Sequence, residues 1–323
     1  MNNGTSLGVK LTIFAVIAIL FAGMVIALSG RYQKSEASEF SFSNGKQHYD
    51  QEFTVSENDN LFVDTDFGNL TINGSSDNKV HVVVTIKGDQ DEIDRYPVVI
   101  EQNGNTVSVT AHNRGSHFRW FDMNSLNARY EISIPVNFNL DISTAGGNIR
   151  IDNVKGEIKG STSGGDIDVK RLEGDIKIET SGGNVKGQEL YGTIDLRTSG
   201  GDIDIENSTG KLMTETSGGN IRIFDTDAEV NASTSGGNIK ANLASNKGIK
   251  LSTSGGNIIL ALPDSISADV YADATGGDVN CDFPLQGRIE EDRMRGKING
   301  GGNEIDLETS GGTIELRSRN FSN

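Results

Sequence analysis

Cysteine, proline and tryptophan are nearly missing from this chain: of 323 residues, 1 is Cys, 4 are Pro and 1 is Trp. A lone cysteine excludes an intramolecular disulfide, so no covalent staple holds the fold. Scarce proline excludes a collagen helix, which needs proline-rich triplets with glycine at every third position. Positive charge is also short, with 29 Lys and Arg against 45 Asp and Glu and a net charge of −16. Such a surface repels nucleic acid, whose binding rests on Lys and Arg neutralising phosphates, so no nucleic-acid partner is expected. Apolar residues make up only 35%, a thin supply for a chain of this length.

Glycine, by contrast, is plentiful at 40 residues, above the ordinary share of about 7%. An internal repeat organises it. Gly-Gly-(Asn/Asp)-(Ile/Val) begins at residues 146, 164, 182, 200, 218, 236, 255 and 276, at five intervals of 18, then 19 and 21. Weaker copies stand at Gly301-Gly302-Asn303 and Gly311-Gly312-Thr313-Ile314. Thr-Ser precedes most pairs, as at Thr162-Ser163 and Thr198-Ser199, and Gly-x-(Ile/Leu) falls between them, as at Gly156-Glu157-Ile158 and Gly174-Asp175-Ile176. Each unit therefore holds two short alternating runs, such as Ile167-Asp168-Val169 and Ile176-Lys177-Ile178. Alternation is the period of a strand with one buried face, and the runs are too short for helices.

The pattern predicts an all-β chain: a single-stranded-type parallel β-solenoid with about 18 residues and two short strands per coil. The corners are expected at Gly146, Gly147, Gly164, Gly165, Gly182, Gly183, Gly200, Gly201, Gly218, Gly219, Gly236 and Gly237, through left-handed backbone angles that branched residues resist. Stacking would place Ile149, Ile167, Val185, Ile203, Ile221, Ile239 and Ile258 in one inward ladder. Thr162, Thr180, Thr198, Thr216 and Thr234 would form a row of hydroxyls bonding along the stack. A narrow core shared along a stack needs few apolar residues, and proline would break the coil-to-coil ladder.

Ahead of the repeat, residues 11–28 carry no charge and are flanked by Lys10 and Arg31. That length can cross a bilayer, and the run is apolar on all sides. Two readings stand, an uncleaved anchor and a signal peptide cut near Ala27-Leu28-Ser29; the anchor is preferred. The domain plan is a cytoplasmic tail over 1–10, a transmembrane anchor helix over 11–30, a polar spacer over 31–47, an irregular β cap with first coils over 48–139, the regular solenoid over 140–318 and a frayed tail over 319–323. Within the late coils, residues 288–295 read as a solvated insertion. The protein is thus expected in a bacterial cytoplasmic membrane, single-pass, touching the membrane through residues 11–30, with its C-terminal body outside the cytoplasm.

A calcium roll has a glycine where this repeat has Ile167, and most of its acidic positions are Asn here, namely Asn148, Asn184, Asn220, Asn238 and Asn257, so an Asn/Asp corner ladder is preferred. Asp166, Asp168, Asp202, Asp204 and Asp278 recur with the repeat instead of standing apart as a catalytic pair. His48, His81, His112 and His117 lack ligand spacing, and Cys281 has no nearby His in sequence. The aromatic run His117-Phe118-Arg119-Trp120-Phe121-Asp122-Met123 reads as a loop packing on the cap. No catalytic, cofactor-binding or metal residues are assigned, and no cofactor is expected.

Tyr130-Glu131-Ile132-Ser133-Ile134-Pro135, followed by Leu140-Asp141-Ile142-Ser143-Thr144-Ala145-Gly146-Gly147-Asn148-Ile149, resembles the bacterial "putative adhesin" family of domains of unknown function. The resemblance covers roughly residues 55–318 and implies an envelope-associated β-solenoid; the family offers no catalytic residues to carry over. The leading expectation is a non-enzymatic adhesion or scaffold surface meeting an envelope glycan or protein. The alternative is a regulatory or sensory accessory domain for a membrane signalling partner, with a polysaccharide-active enzyme third.

Overall fold

The computed structural model describes residues 39–43, 45–113 and 126–319. The cytoplasmic tail, the anchor segment, the aromatic run around Trp120 and residues 320–323 lie outside the described residues. Among the described residues, no helix is long and apolar enough to cross a membrane. The chain is all-β, and its one described helix is the short α1 (Gln90–Asp94), N-capped by Asp89. Of the expected spacer over 31–47, residues Glu39–Ser43 are instead strand β1, antiparallel to β2 (Lys46–Thr54).

The regular coils follow the period of the sequence. β10 (Ile149–Thr162), β11 (Ile167–Thr180) and β12 (Val185–Thr198) pair in parallel, each residue against the one 18 positions on. The apolar ladder from Ile149 to Ile258 is fully inside, with every member at most 1% exposed. Two short strands per coil were expected, but in these three coils both run through a bend as one 14-residue strand. The bend is made by a left-handed residue that is not glycine: Asn153 (φ 61°), Arg171 (φ 52°) and Glu189 (φ 57°). The next coils repeat it at Asn207 (φ 56°), between β13 (Ile203–Glu206) and β14 (Thr209–Thr216), and at Asp225 (φ 49°) within β15 (Ile221–Thr234). Each bend divides its coil between two faces of the stack.

The Gly-Gly corners serve a different purpose from the one expected. From Gly164 to Gly237 their φ angles lie outside the left-handed range; Gly147 (φ 139°) is an exception among the assigned corners. The constraint is crowding between coils. A Cβ on Gly201 would sit 2.1 Å from the carbonyl oxygen of Gly183, and the same contact is 1.9–2.1 Å throughout the second glycines from Gly165 to Gly237. A Cβ on the first glycine of the pair, Gly200, would meet nothing nearer than 3.6 Å. Only the second glycine is sterically obligatory.

Both ends of the stack depart from sequence order. At one end β3 (Asn60–Phe67) and β4 (Asn69–Ser75) form a coil wedged between two later segments. On its outer side lie β7 (Thr106–Ala111) and β8 (Asn127–Pro135); on its inner side lie β9 (Asn139–Gly146) and the start of β10. Antiparallel strands finish this end: β6 (Val98–Asn103) on β7, and β5 (Lys79–Lys87), β2 and β1 in turn on β8. Tyr96, Tyr130 and Phe138 are fully buried there.

At the other end, β17 (Ile249–Thr253) and β18 (Ile258–Pro263) do not stack on the coil that follows them, β19 (Ala268–Ala274) with β20 (Val279–Cys281). Between them lies the last coil, β23 (Asn303–Thr309) with β24 (Ile314–Arg319), paired in parallel on both sides. The segment read as a solvated insertion is a hairpin, β21 (Leu285–Ile289) and β22 (Arg293–Ile298), antiparallel to β19 and closing the stack.

Candidate functional site

The first strand of each coil begins directly after the Gly-Gly pair, so its outward residues form straight rows along one face. The row nearest the corner is an amide and carboxylate ladder. Oδ1 of Asn148, Asp166, Asn184, Asp202, Asn220 and Asn238 accepts the N–H of the equivalent residue one coil on, at 2.8–2.9 Å. Asn69 starts the ladder on the N–H of Asn148 and Asn257 ends it on the N–H of Thr313. Only Asn and Asp combine this short reach with a strong acceptor. The N–H of Asn220 is the main cause holding the Asp202 carboxyl below its ordinary range; Arg222 adds to it and partial desolvation opposes it.

Two residues further on, the parallel register aligns Arg150, Asp168, Lys186, Asp204 and Arg222. Their signs alternate, which removes the like-charge repulsion that in-register stacking at about 4.8 Å would otherwise impose. Arg150 meets Asp168 at 3.1 Å, and Arg222 meets both Asp204 (3.1 Å) and Asp202 (3.0 Å). These side chains are half-exposed, so the pairs contribute little to stability and keep their hydrogen-bonding edges open to solvent. Thr71 on β4 and Glu131 on β8 extend this row, Arg129 on β8 extends the corner row beyond Asn69, and both rows as far as Asp202 and Asp204 line an open groove of about 650 Å³.

The residues considered for chemistry are dispersed. Asp166 and Asp202 spend oxygens on the corner ladder, oxygens that a calcium ion would require. Asp168 and Asp204 belong to the charged row. Asp278 accepts the N–H of Ile314 through its main-chain carbonyl. His81 lies 2.7 Å from Asp50, His112 bridges Asp64 and Asp66, and His48 contacts Thr85; His117 is outside the described residues. The Cys281 thiol is half-buried, and desolvation pushes its pKa up, away from the reactive thiolate. Among the described residues, no three His, Cys, Asp or Glu side chains gather as a metal site. Sequence reasoning missed the alternating row, although its signal, charge read at intervals of 18, was present in the sequence.

The Toastrack DUF4097 family model matches residues 58–317. Solved structures of similar fold include a putative adhesin from Bacteroides fragilis NCTC 9343, 17% identical, covering 84% of this chain and 97% of its own, with a TM-score of 0.40. Another putative adhesin, from Parabacteroides merdae ATCC 43184, is 15% identical over 84% of this chain and 96% of its own, with a TM-score of 0.45. A putative lipid binding protein from Parabacteroides distasonis ATCC 8503 is 17% identical over the same shares, with a TM-score of 0.37. Curated proteins yield no match. With the family model spanning most of its length and the β-solenoid in place, the chain belongs to the Toastrack DUF4097 family.

Proposed function

We propose that the protein is a membrane-anchored, extracytoplasmic and non-enzymatic binding surface of the bacterial envelope, serving adhesion or scaffolding. The observation that carries this reading is the groove along the first-strand face. It offers amide, carboxylate and guanidinium groups at a constant spacing over successive coils, from Asn69 and Arg129 to Asp204. A repeating partner, an extended envelope glycan or an extended protein segment, would engage several coils at once, and individually weak contacts would sum. The uncharged run over 11–28 supplies the anchor, with the tail inside and the solenoid outside.

The test is binding of the full chain in detergent micelles to arrays of envelope polysaccharides and surface proteins. Retention that weakens with salt and falls at least tenfold in the triple variant Arg129→Ala, Arg150→Ala, Lys186→Ala, with unfolding unchanged, is the expected result. Absence of any retained partner, or retention indifferent to those three substitutions, sinks the reading.

A further inference from the structure

The groove runs along the first strands of the coils. The second strands form another face, which continues through β17 and β23 to β19 and the closing hairpin β21–β22. At that end the register sets outward residues in two rungs across four strands. Gln286, Lys297, Asp269 and Glu304 make one rung, and Arg288, Arg295, Tyr271 and Asp306 make the next. A concavity of about 720 Å³ lies over them, with Tyr271, Gln286, Arg295 and Glu304 in its lining.

Most charges around this concavity are already spent. Lys250 holds Asp306 at 2.6 Å and Arg293 holds Asp273 at 3.0 Å. Asp269 takes Lys297 at 3.5 Å and the N–H of Gly302 at 3.2 Å. Three side chains are left over: the Arg295 guanidinium, the Gln286 amide and the Glu304 carboxylate have no hydrogen-bond or ion-pair partner among the described residues. Tyr271, with 37% of its surface exposed, stands among them as a cross-strand neighbour of Arg295. Its hydroxyl donates to Asp273 Oδ2 at 3.3 Å, and Arg293 and Thr275 hold that carboxylate in turn. The ring is therefore fixed in place before any ligand arrives. The hairpin is also unusual in its charge: Arg288, Arg293, Arg295 and Lys297 gather there in a chain of net charge −16.

We infer that this concavity is a binding site for a carboxylated sugar, a uronic-acid unit of a polysaccharide. The apolar C–H face of a pyranose packs on an aromatic ring, which Tyr271 presents. The fork of Arg295 meets a carboxylate with two parallel hydrogen bonds. Gln286 donates and accepts, and Glu304 accepts, so both serve sugar hydroxyls. A concave seat with a few convergent polar groups is the usual form of a small-ligand site. Cross-strand neighbours have Cβ atoms about 5 Å apart, so one sugar residue reaches both Tyr271 and Arg295. Lys297 and Asp269 cancel, and Arg295 faces one free carboxylate, Glu304. That balance suits a single negative charge better than a phosphate monoester, which brings about −1.5 to −2. The site shares no residue with the groove and stands whether or not the groove binds a partner.

Calorimetric titration of the full chain in detergent micelles tests the inference. The probes are hexamers of 1,4-linked galacturonate and mannuronate, with their methyl esters as uncharged controls. Saturable binding of at least one acid, at least tenfold tighter than its ester, is expected. Arg295→Ala and Tyr271→Ala are each expected to weaken it at least tenfold, and Tyr271→Phe, which keeps the ring, to retain it. Arg295→Ala removes no contact within the fold, so its thermal unfolding should match the parent's. The groove variant Arg129→Ala, Arg150→Ala, Lys186→Ala is expected to bind the acid as the parent does. Failure of both acids to bind, equal binding of acid and ester, or a loss in the groove variant with none in Arg295→Ala overturns the inference.

Discussion

Thr198 Oγ1 donates to the carbonyl oxygen of Gly183 at 2.7 Å and accepts the N–H of Gly201 at 3.3 Å, so one buried hydroxyl stitches two coils at their tightest point. The same pair of bonds recurs at Thr162, Thr180, Thr216, Thr234 and Thr253. It answers a problem that the glycines create. Two backbones in van der Waals contact leave main-chain groups that neither strand ladder nor water reaches, and a hydroxyl, donor and acceptor at once, satisfies both. Thr198→Val keeps the shape and removes the hydroxyl. It is expected to cost about 1–3 kcal/mol and to speed hydrogen exchange at the Gly201 amide, whereas Thr198→Ser keeps that protection. Equal exchange in the two variants would contradict the role assigned to the bond.

The two glycines of one corner are predicted to differ. Gly201→Ala drives a methyl group into the Gly183 carbonyl and is expected to cost about 3 kcal/mol or more. Gly200→Ala places its methyl in ordinary contact and should stay within about 1 kcal/mol of the parent. Urea midpoints of the two single variants decide it, and equal midpoints would return the corner to a backbone-angle explanation.

The non-glycine bend residues carry a cost that can be recovered. A left-handed L-residue is disfavoured by about 1–2 kcal/mol, and Asn tolerates that conformation best after Gly. Asn occupies the bend at Asn153 and Asn207, but Glu189 does not enjoy that tolerance. Its ion pair with Lys170 at 3.6 Å is exposed and contributes little. Glu189→Asn is therefore expected to stabilise by about 0.5–1 kcal/mol, read as a raised thermal midpoint; a lowered midpoint would contradict the assignment.

Acid sensitivity should follow Asp202. Its folded pKa lies below the ordinary value of 3.8, chiefly because its carboxylate accepts the N–H of Asn220. A depressed carboxyl pKa contributes stability that is complete above the unfolded value and is lost as pH falls through the folded value. Asp202→Asn keeps an Oδ1 acceptor, as Asn184 and Asn220 do one coil away, and removes the titration. Parent minus variant stability is expected to be larger at neutral pH than at pH values below the ordinary 3.8. A difference that stays constant over that range would remove Asp202 from the acid response.

Much of the fold was legible because an 18-residue period in sequence became an 18-residue register in space. Once Ile149 lies on Ile167 and Ile167 on Val185, burial of the apolar ladder, the threonine row and the Asn/Asp corner ladder all follow. The groove was less legible. Arg150, Asp168 and Lys186 look like ordinary surface charges until the register sets them side by side, since local alternation reports which side faces out and not which neighbours share it. The bends were harder still, because Arg171 and Glu189 carry no sign in their chemistry of a left-handed backbone; what imposes it is the coil beneath.

The sequence by itself determined the coil length, the inward residues and the corner positions, because each is written in a period that local patterning exposes. Only the tertiary structure decided the order of the coils at the two ends and the reason for the Gly-Gly pairs. Parallel backbone ladders are chemically alike, so the repeat pattern of residues 303–319 does not state which coils they join; residues 299–302, which cross β19 between two register partners of Ala268, and coil-specific contacts such as Lys250 with Asp306 and Asn246 with Asn303 settle that. The glycine requirement likewise depends on how near one coil's carbonyl lies to the next coil's Cα, a distance that exists only once the stack has formed.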